Sequence, residues 1–452
     1  MTTSTYASQL ARRVAGLAFA VAALHACKDA FVPDLNNPSL EGIISNPTRA
    51  QVQTMARGIF DGNRSDQGGF IRDLEIIGRD AYNLDAADPR WVTELLINLD
   101  PGGFGGAHWR VRYRNIKGAD LLVSAAGTAG SLSAPEKAAT IGFAQTFKAL
   151  DLLAVAESRD TAGVASDAGA TTADLTPILC RDNGLARISA LLDSAKTNLN
   201  AGGAAFPFAL PGGFAGFDTP ASFLRFNRAI KARAEIYLGT SSATHYSTAL
   251  TALSESFVDT TASLDLGVYH LYSLAAGDQS NPLFQDPATT NFRAHPSVRD
   301  SAEAGDRRVS RKTMIGDVKT YQGLSSNIIF TVYDSPTAPI PIVRNEELIL
   351  LRAQANLGLG NLVAATRDIN VIRVRSGGLT PRVYATAGAA LNELLHQKRY
   401  SLLWESGSRW VDMRLYGRLA TLPKDAPTHK VHPNFPIPQA EVLARGGSVR
   451  CQ

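Results

Sequence analysis

At 452 residues, 45% of them hydrophobic and 19% charged, the chain is long enough to bury a large core and reads as globular rather than disordered. No apolar run reaches the roughly 18 to 20 residues of a spanning helix. Lys and Arg (45) nearly balance Asp and Glu (41), for a formal net charge of +4. Their spread along the chain excludes the concentrated basic face of a nucleic-acid binder.

The N-terminus carries the compartment signal. Arg12-Arg13 precede an uncharged stretch from Val14 to Leu24, followed by Leu24-His25-Ala26-Cys27. A basic start and a short apolar run predict a secretory signal peptide over residues 1–26. Cys27, directly after a small residue, is placed as in a bacterial lipobox, although His25 is an atypical occupant; lipid attachment at Cys27 is expected. Several acyl chains on that cysteine would hold a membrane stably where one would not. Residues 27–47 are rich in Pro and Asn, including Pro33, Asn36, Asn37 and Pro38, and predict a non-helical tether. Cys180 and Cys451 can pair in an oxidising compartment or remain two thiols, and the sequence leaves both open. Three cysteines without a C-x-x-C spacing give no standard zinc site.

Residues 48–452 predict one mostly α-helical domain. Ser133-Ala134-Pro135-Glu136 opens a helix that runs to Ser158 with Phe143, Phe147, Leu150 and Ala154 on one face. Asp182-Asn183-Gly184 reads as a turn, and Leu185 to Leu199 as the next helix. Thr219-Pro220 starts another, faced by Phe223, Phe226, Ile230, Ala234 and Tyr237 and stopped at Gly239. Leu348, Leu351 and Ala355, a turn over Gly358 to Asn361, then Leu362, Ala365, Ile369 and Ile372 make a helical hairpin of tetratricopeptide-like size. A last helix covers Ala389 to Trp404. Two stretches, about 61–106 and 259–343, lack periodicity and are rich in Gly, Pro, Asn, Asp and aromatic residues. They predict long irregular loops, where a ligand would bind.

Catalytic and cofactor motifs are missing: the sequence has no H-E-x-x-H, no G-x-S-x-G, no Walker A and no G-x-G-x-x-G after a strand. Gly102 to Gly106 reads as a flexible loop tip, and His429 and His432 as surface residues. Asp85 and Asp88 are carboxylates of the kind glycoside chemistry uses, with nothing to set them apart from other loop acids. No catalytic residue, cofactor or metal is expected. The loops instead carry Phe70, Tyr82, Trp91 and Phe104 in the first stretch and Tyr269, Tyr272 and Phe284 in the second. Flat rings beside Asn, Asp and Arg suit sugar rings, so Trp91, Tyr82, Phe70 and Phe104 are the candidate ligand residues, Trp91 first because it follows the polar turn Asp88-Pro89-Arg90.

The strongest family signal is C-terminal. Gln397-Lys398-Arg399-Tyr400-Ser401-Leu402-Leu403-Trp404-Glu405, then Gly407-Ser408-Arg409-Trp410-Val411-Asp412-Met413-Arg414, resembles the E-R-x-x-E-L-x-F-E-G-x-R-W-x-D-L-x-R stretch of the SusD/RagB family of outer-membrane nutrient-binding lipoproteins. Gln397, Ser401 and the extra Ser406 depart from it. Pro33 to Pro38, Trp109 to Ala119, Asn345 to Gly377, and Phe435-Pro436-Ile437-Pro438 with Glu441 match further family motifs in order. The resemblance implies a superhelical body of tetratricopeptide-like hairpins with long irregular ligand-binding loops. It also implies a surface-exposed, lipid-anchored outer-membrane protein that captures oligosaccharides for a SusC-like TonB-dependent barrel and needs no catalysis. The alternatives are the same role for peptides, a helical-repeat scaffold, or a secreted glycoside hydrolase. Glu405, Arg409, Asp412 and Arg414 are expected to form an ion-pair network packed on Trp404 and Trp410.

Overall fold

The computed structural model describes residues 44 to 169, 171 and 174 to 452. The expected signal peptide, the lipid-attachment residue Cys27 and the tether up to residue 43 lie outside the described residues.

The long helices follow from caps and apolar faces. Helix α1, Arg49–Ile77, starts at a capping box in which Thr48 and Gln51 satisfy one another's backbone groups. Helix α2 is Arg110–Thr128, and α3, Ala134–Arg159, starts at the capping box of Ser133 and Glu136. Helices α4 (Arg181–Asn200), α5 (Pro220–Leu238) and α6 (Thr244–Ser254) follow, then α7 (Asn345–Gly358), α8 (Leu362–Ile372), α9 (Ala387–Ser401) and α10 (Ser408–Leu415). Each helix from α1 to α6 packs on the next, and α7 joins the row by packing on α6 and on its hairpin partner α8. The result is the expected stack of tetratricopeptide-like hairpins. Close approach at the α5–α6–α7 crossing depends on two glycines: a Cβ at Gly239 or at Gly358 would lie 2.2 Å from the Tyr246 ring.

The core centres on rings from α1, α3, α5 and the segment 206–214. Phe60, Phe143, Phe147, Phe214, Phe223 and Phe226 are all 5% exposed or less, with neighbouring centroids 4.9 to 6.3 Å apart in mainly tilted or edge-on pairs.

The stretch 61–106 is not irregular throughout, because α1 continues to Ile77. Its second half buries Asn63, Asp73 and Glu75 along with Phe70 and Ile71, which hides the helical period. Asp182-Asn183-Gly184 is the first turn of α4 rather than a connecting turn. Strands β1 (Ala81–Asn83), β2 (Val164–Ala165) and β3 (Ile178–Leu179) precede the stretch 259–343, which is not irregular throughout either: it contains β4 (Gly267–His270), β5 (Phe292–Ala294), β6 (Thr313–Tyr321), β7 (Leu324–Phe330) and β8 (Ile340–Arg344), with short helices at Ser297–Asp300 and Arg307–Lys312 between β5 and β6. β6 and β7 form an antiparallel hairpin, and β4 pairs with β8.

Cys180 and Cys451 are joined as a disulfide, resolving the open alternative. The tail is also held by backbone bonds, Cys180 N–H to the Gln452 carbonyl and Gln452 N–H to the Ile178 carbonyl, both 2.9 Å.

Candidate functional site

Beyond α1 the chain turns at Gly78 and enters β1, Ala81–Asn83, which pairs antiparallel with β5, Tyr82 opposite Arg293 and Asn83 opposite Phe292. The loop that follows is built from short side-chain turns. Asp85 Oδ1 accepts the Ala87 N–H, and Asp88 accepts the Arg90 N–H before forming a two-point ion pair with the Arg90 guanidinium at 2.9 and 2.7 Å. Both carboxylates therefore shape the backbone. A helical turn, Arg90–Val92, then presents Trp91.

The glycine-rich segment is a close-packed turn and not the flexible tip expected. Glu94 Oε2 accepts the Phe104 N–H at 2.6 Å. A Cβ at Gly103 would lie 2.3 Å from that carboxylate, and one at Gly106 2.3 Å from the Pro101 carbonyl, so only glycine lets the loop close this far. The closure sets Phe104 against Trp91, ring centroids 4.8 Å apart.

Two cations complete the arrangement. The Arg72 guanidinium lies 4.5 Å from the Trp91 ring centre and that of Arg90 lies 4.8 Å from Phe104, giving a ladder of Arg90, Phe104, Trp91 and Arg72. Both rings are only partly buried, and each such contact contributes about 0.5 to 1 kcal/mol at an exposed site. The ladder leads inward through partly buried Phe292 to buried rings: Trp91 meets Phe292 edge-on at 5.9 Å, Phe292 meets Trp404 at 5.7 Å, and Trp404 stacks on Phe330 at 4.2 Å. A partly exposed aromatic pair flanked by donors and carboxylates offers apolar surface to a sugar ring and groups that bond its hydroxyls.

The C-terminal side of the loop is pinned by charge. His108 has φ +60° and is buried between Asp66 (Nδ1, 2.9 Å) and Asp73 (Nε2, 3.0 Å). Burial alone would lower its pKa, but the two carboxylates outweigh that and raise it to about 9. The imidazolium thereby ties the Phe104 loop to α1.

Of the four residues singled out from the sequence, Trp91 and Phe104 come together at this surface. Phe70 and Tyr82 do not. Phe70 is 3% exposed because it lies on the inward face of α1, edge-on to His108. Tyr82 is 2% exposed because β1 is covered on both faces, and it packs on His295. In the second stretch Tyr272 is buried, while Tyr269 and Phe284 are partly exposed. His429 is 3% exposed rather than on the surface; burial first, then the nearby Arg79 charge, lowers its pKa. The sequence reading missed Arg72, Arg90, Glu94 and Phe292. Arg90 had a signal, its place inside the turn that precedes Trp91. Phe292 had none, since it reaches the site across a strand pair about 200 residues away in sequence.

No family model matches the sequence, and no curated protein matches it. Solved structures do match the fold. Surface glycan-binding protein A from Bacteroides thetaiotaomicron is 14% identical with a TM-score of 0.71, over 89% of this chain and 98% of that one. A structure of it in complex with laminarihexaose gives 14%, 0.69, 88% and 98%. A SusD superfamily protein from Parabacteroides distasonis gives 15%, 0.65, 87% and 97%. The chain has the SusD-like fold over nearly its whole described length.

Proposed function

We propose, with the SusD-like fold as premise, that this chain is a surface-exposed outer-membrane lipoprotein that captures oligosaccharides and passes them to a SusC-like TonB-dependent transporter without chemical change to the ligand. The ladder of Arg90, Phe104, Trp91 and Arg72 carries the reading: it is a preformed aromatic plate on loops, set on a helical scaffold. The surface glycan-binding proteins of the same fold support carbohydrate as the ligand class. Anchoring rests on Cys27 at the end of the signal-like segment, and the disulfide fits an oxidising compartment.

The test is a glycan array probed with the wild-type chain and with Trp91→Ala, beside a peptide library. Saturable oligosaccharide binding that Trp91→Ala removes is the expected result; binding to peptides alone, or sugar binding indifferent to Trp91, would sink the assignment of this site. For anchoring and delivery, membrane fractions of wild type and Cys27→Ala are compared. Release of the variant and co-purification of a large barrel with wild type are expected. A wild type that stays soluble with no barrel partner argues for a scaffold.

A further inference from the structure

One stripe of α1 carries Arg57, Asp61, Arg64, Gly68 and Arg72, spaced four, three, four and four residues apart. Arg72 ends the stripe under Trp91. At its other end the stripe borders a cleft whose opposite wall is the segment after β4, from Leu271 to Gln279. The deeper part, about 290 Å³, is floored by Phe60, Phe214 and Tyr269, and the outer part, about 500 Å³, is rimmed by polar groups.

Arg64 fixes the geometry. It donates to the Leu271 carbonyl at 2.7 Å and to Asp278 Oδ1 at 2.6 Å, which locks the far wall onto α1. Its Nε is buried without a hydrogen-bond partner. Asp61 is half exposed and holds Arg57 and Arg64 only at 3.6 and 3.5 Å, while the Arg57 side chain is 78% exposed. The cleft thus offers donors and acceptors over an apolar floor, with the exposed Leu271 on its far wall. Its two arginines and two carboxylates cancel, which matches an uncharged polyhydroxylated ring better than an anion or a cation.

We infer that this cleft is a second subsite for the same ligand, and that the preferred ligand is a neutral oligosaccharide long enough to reach from the Trp91 plate to the cleft. The two places are separated by the Pro282 ridge: a Cβ at Gly68 would lie 2.2 Å from Pro282 Cγ, so the loop seats directly on α1 there, with Pro282 exposed. From Arg64 to Arg72 is two helical turns, about 12 Å, more than a disaccharide held on Trp91 covers. One chain engaging both places gains the second contact without a second loss of translational freedom.

This rests on the sugar-binding reading of Trp91, and calorimetric titration of the full chain separates the two. The probes are ladders of neutral oligosaccharides of increasing length, laminari-oligosaccharides among them, with matched uronic-acid-containing ladders. The proposal expects wild-type affinity to climb with length past the disaccharide. Asp61→Ala and Arg57→Ala should lower affinity for the long members about tenfold, the worth of one charge-assisted hydrogen bond, and leave short members unchanged; Trp91→Ala should weaken every member. Thermal melts of the two cleft variants should match wild type, since both side chains are well exposed. Long-chain affinity within about twofold of wild type in both cleft variants overturns the subsite while the Trp91 reading stands, and tighter binding of the acidic ladder overturns the neutral class. Absence of any sugar binding by wild type overturns both.

Discussion

The molecule sets arginine beside aromatic rings in several places, and two of these regions differ in what surrounds them. Around Trp404 and Trp410 both rings and most of their partners are buried. Glu75 Oε1 accepts the Trp404 and Gly407 N–H groups, Trp404 Nε1 donates to the Leu283 carbonyl, and Trp410 Nε1 donates to that of His432. Arg399 and Arg409 converge on the buried Asp80, Lys398 holds Asp412 at 2.6 Å, and Arg344 and Lys312 hold Glu405. At Trp91 and Phe104 the same residue types form a ladder whose two rings stay partly exposed. An aromatic–arginine motif therefore marks a candidate binding surface only where its rings keep solvent-exposed area; where its partners close around it, it is framework.

Substitutions that break the enclosed region should have the largest effect. Trp404→Ala leaves a cavity at a fully buried ring and orphans the Leu283 carbonyl, and should cost about 3 to 5 kcal/mol in chemical denaturation. Asp80→Ala strands two arginines in the interior and belongs in the same range. Trp91→Ala sharpens the contrast: about 1 kcal/mol of stability, but a loss of at least roughly tenfold in oligosaccharide affinity, as for an aromatic anchor. If Trp91→Ala unfolds the chain as Trp404→Ala does, the distinction fails.

Protonation gives a finer handle. Burial, and then the charge of Asp80, push Glu75 from its ordinary 4.5 up to about 8. Folding therefore favours its protonated form, and its contribution is fully present below about pH 4.5 and is lost as pH rises through about 8. Glu75→Gln keeps an acceptor for the Trp404 and Gly407 N–H groups and removes the titration. Denaturation midpoints from pH 5 to 8 should fall less steeply in the variant than in wild type; parallel curves would exclude Glu75 as the source. At the open region the sign is the same for a different reason. His108, ordinarily 6.5 and held at about 9, stabilises fully below 6.5, and that support is lost as pH passes about 9. His108→Gln should show a smaller loss of stability between pH 7 and 10 than wild type.

The same contrast explains what could be read from the sequence. Helices α3, α5, α7 and α8 bury continuous apolar faces, so spacing and capping residues reveal them. The second half of α1 buries Asn63, Asp73 and Glu75, each answered by a residue distant in sequence: Asp151, His108 and the Trp404 backbone. Without those partners in view the segment looks like a polar loop, and Phe70 looks like a loop aromatic. Trp91 and Phe104 were legible as candidates because they flank polar turns and glycines, but their contact depends on Glu94 reaching the Phe104 N–H. The cleft at Arg57 and Asp61 was not legible, since its far wall is more than 200 residues away in sequence. The disulfide was open for the same reason, its cysteines lying 271 residues apart.

The chain has four tryptophans. Trp109, Trp404 and Trp410 are 6% exposed or less, while Trp91 is only partly covered. A small aqueous quencher such as acrylamide thus meets essentially one indole, the one in the proposed sugar plate. The protein carries its own optical probe: a ligand lying on Trp91 shields that emission, and the quenching slope becomes a titration curve that needs no label.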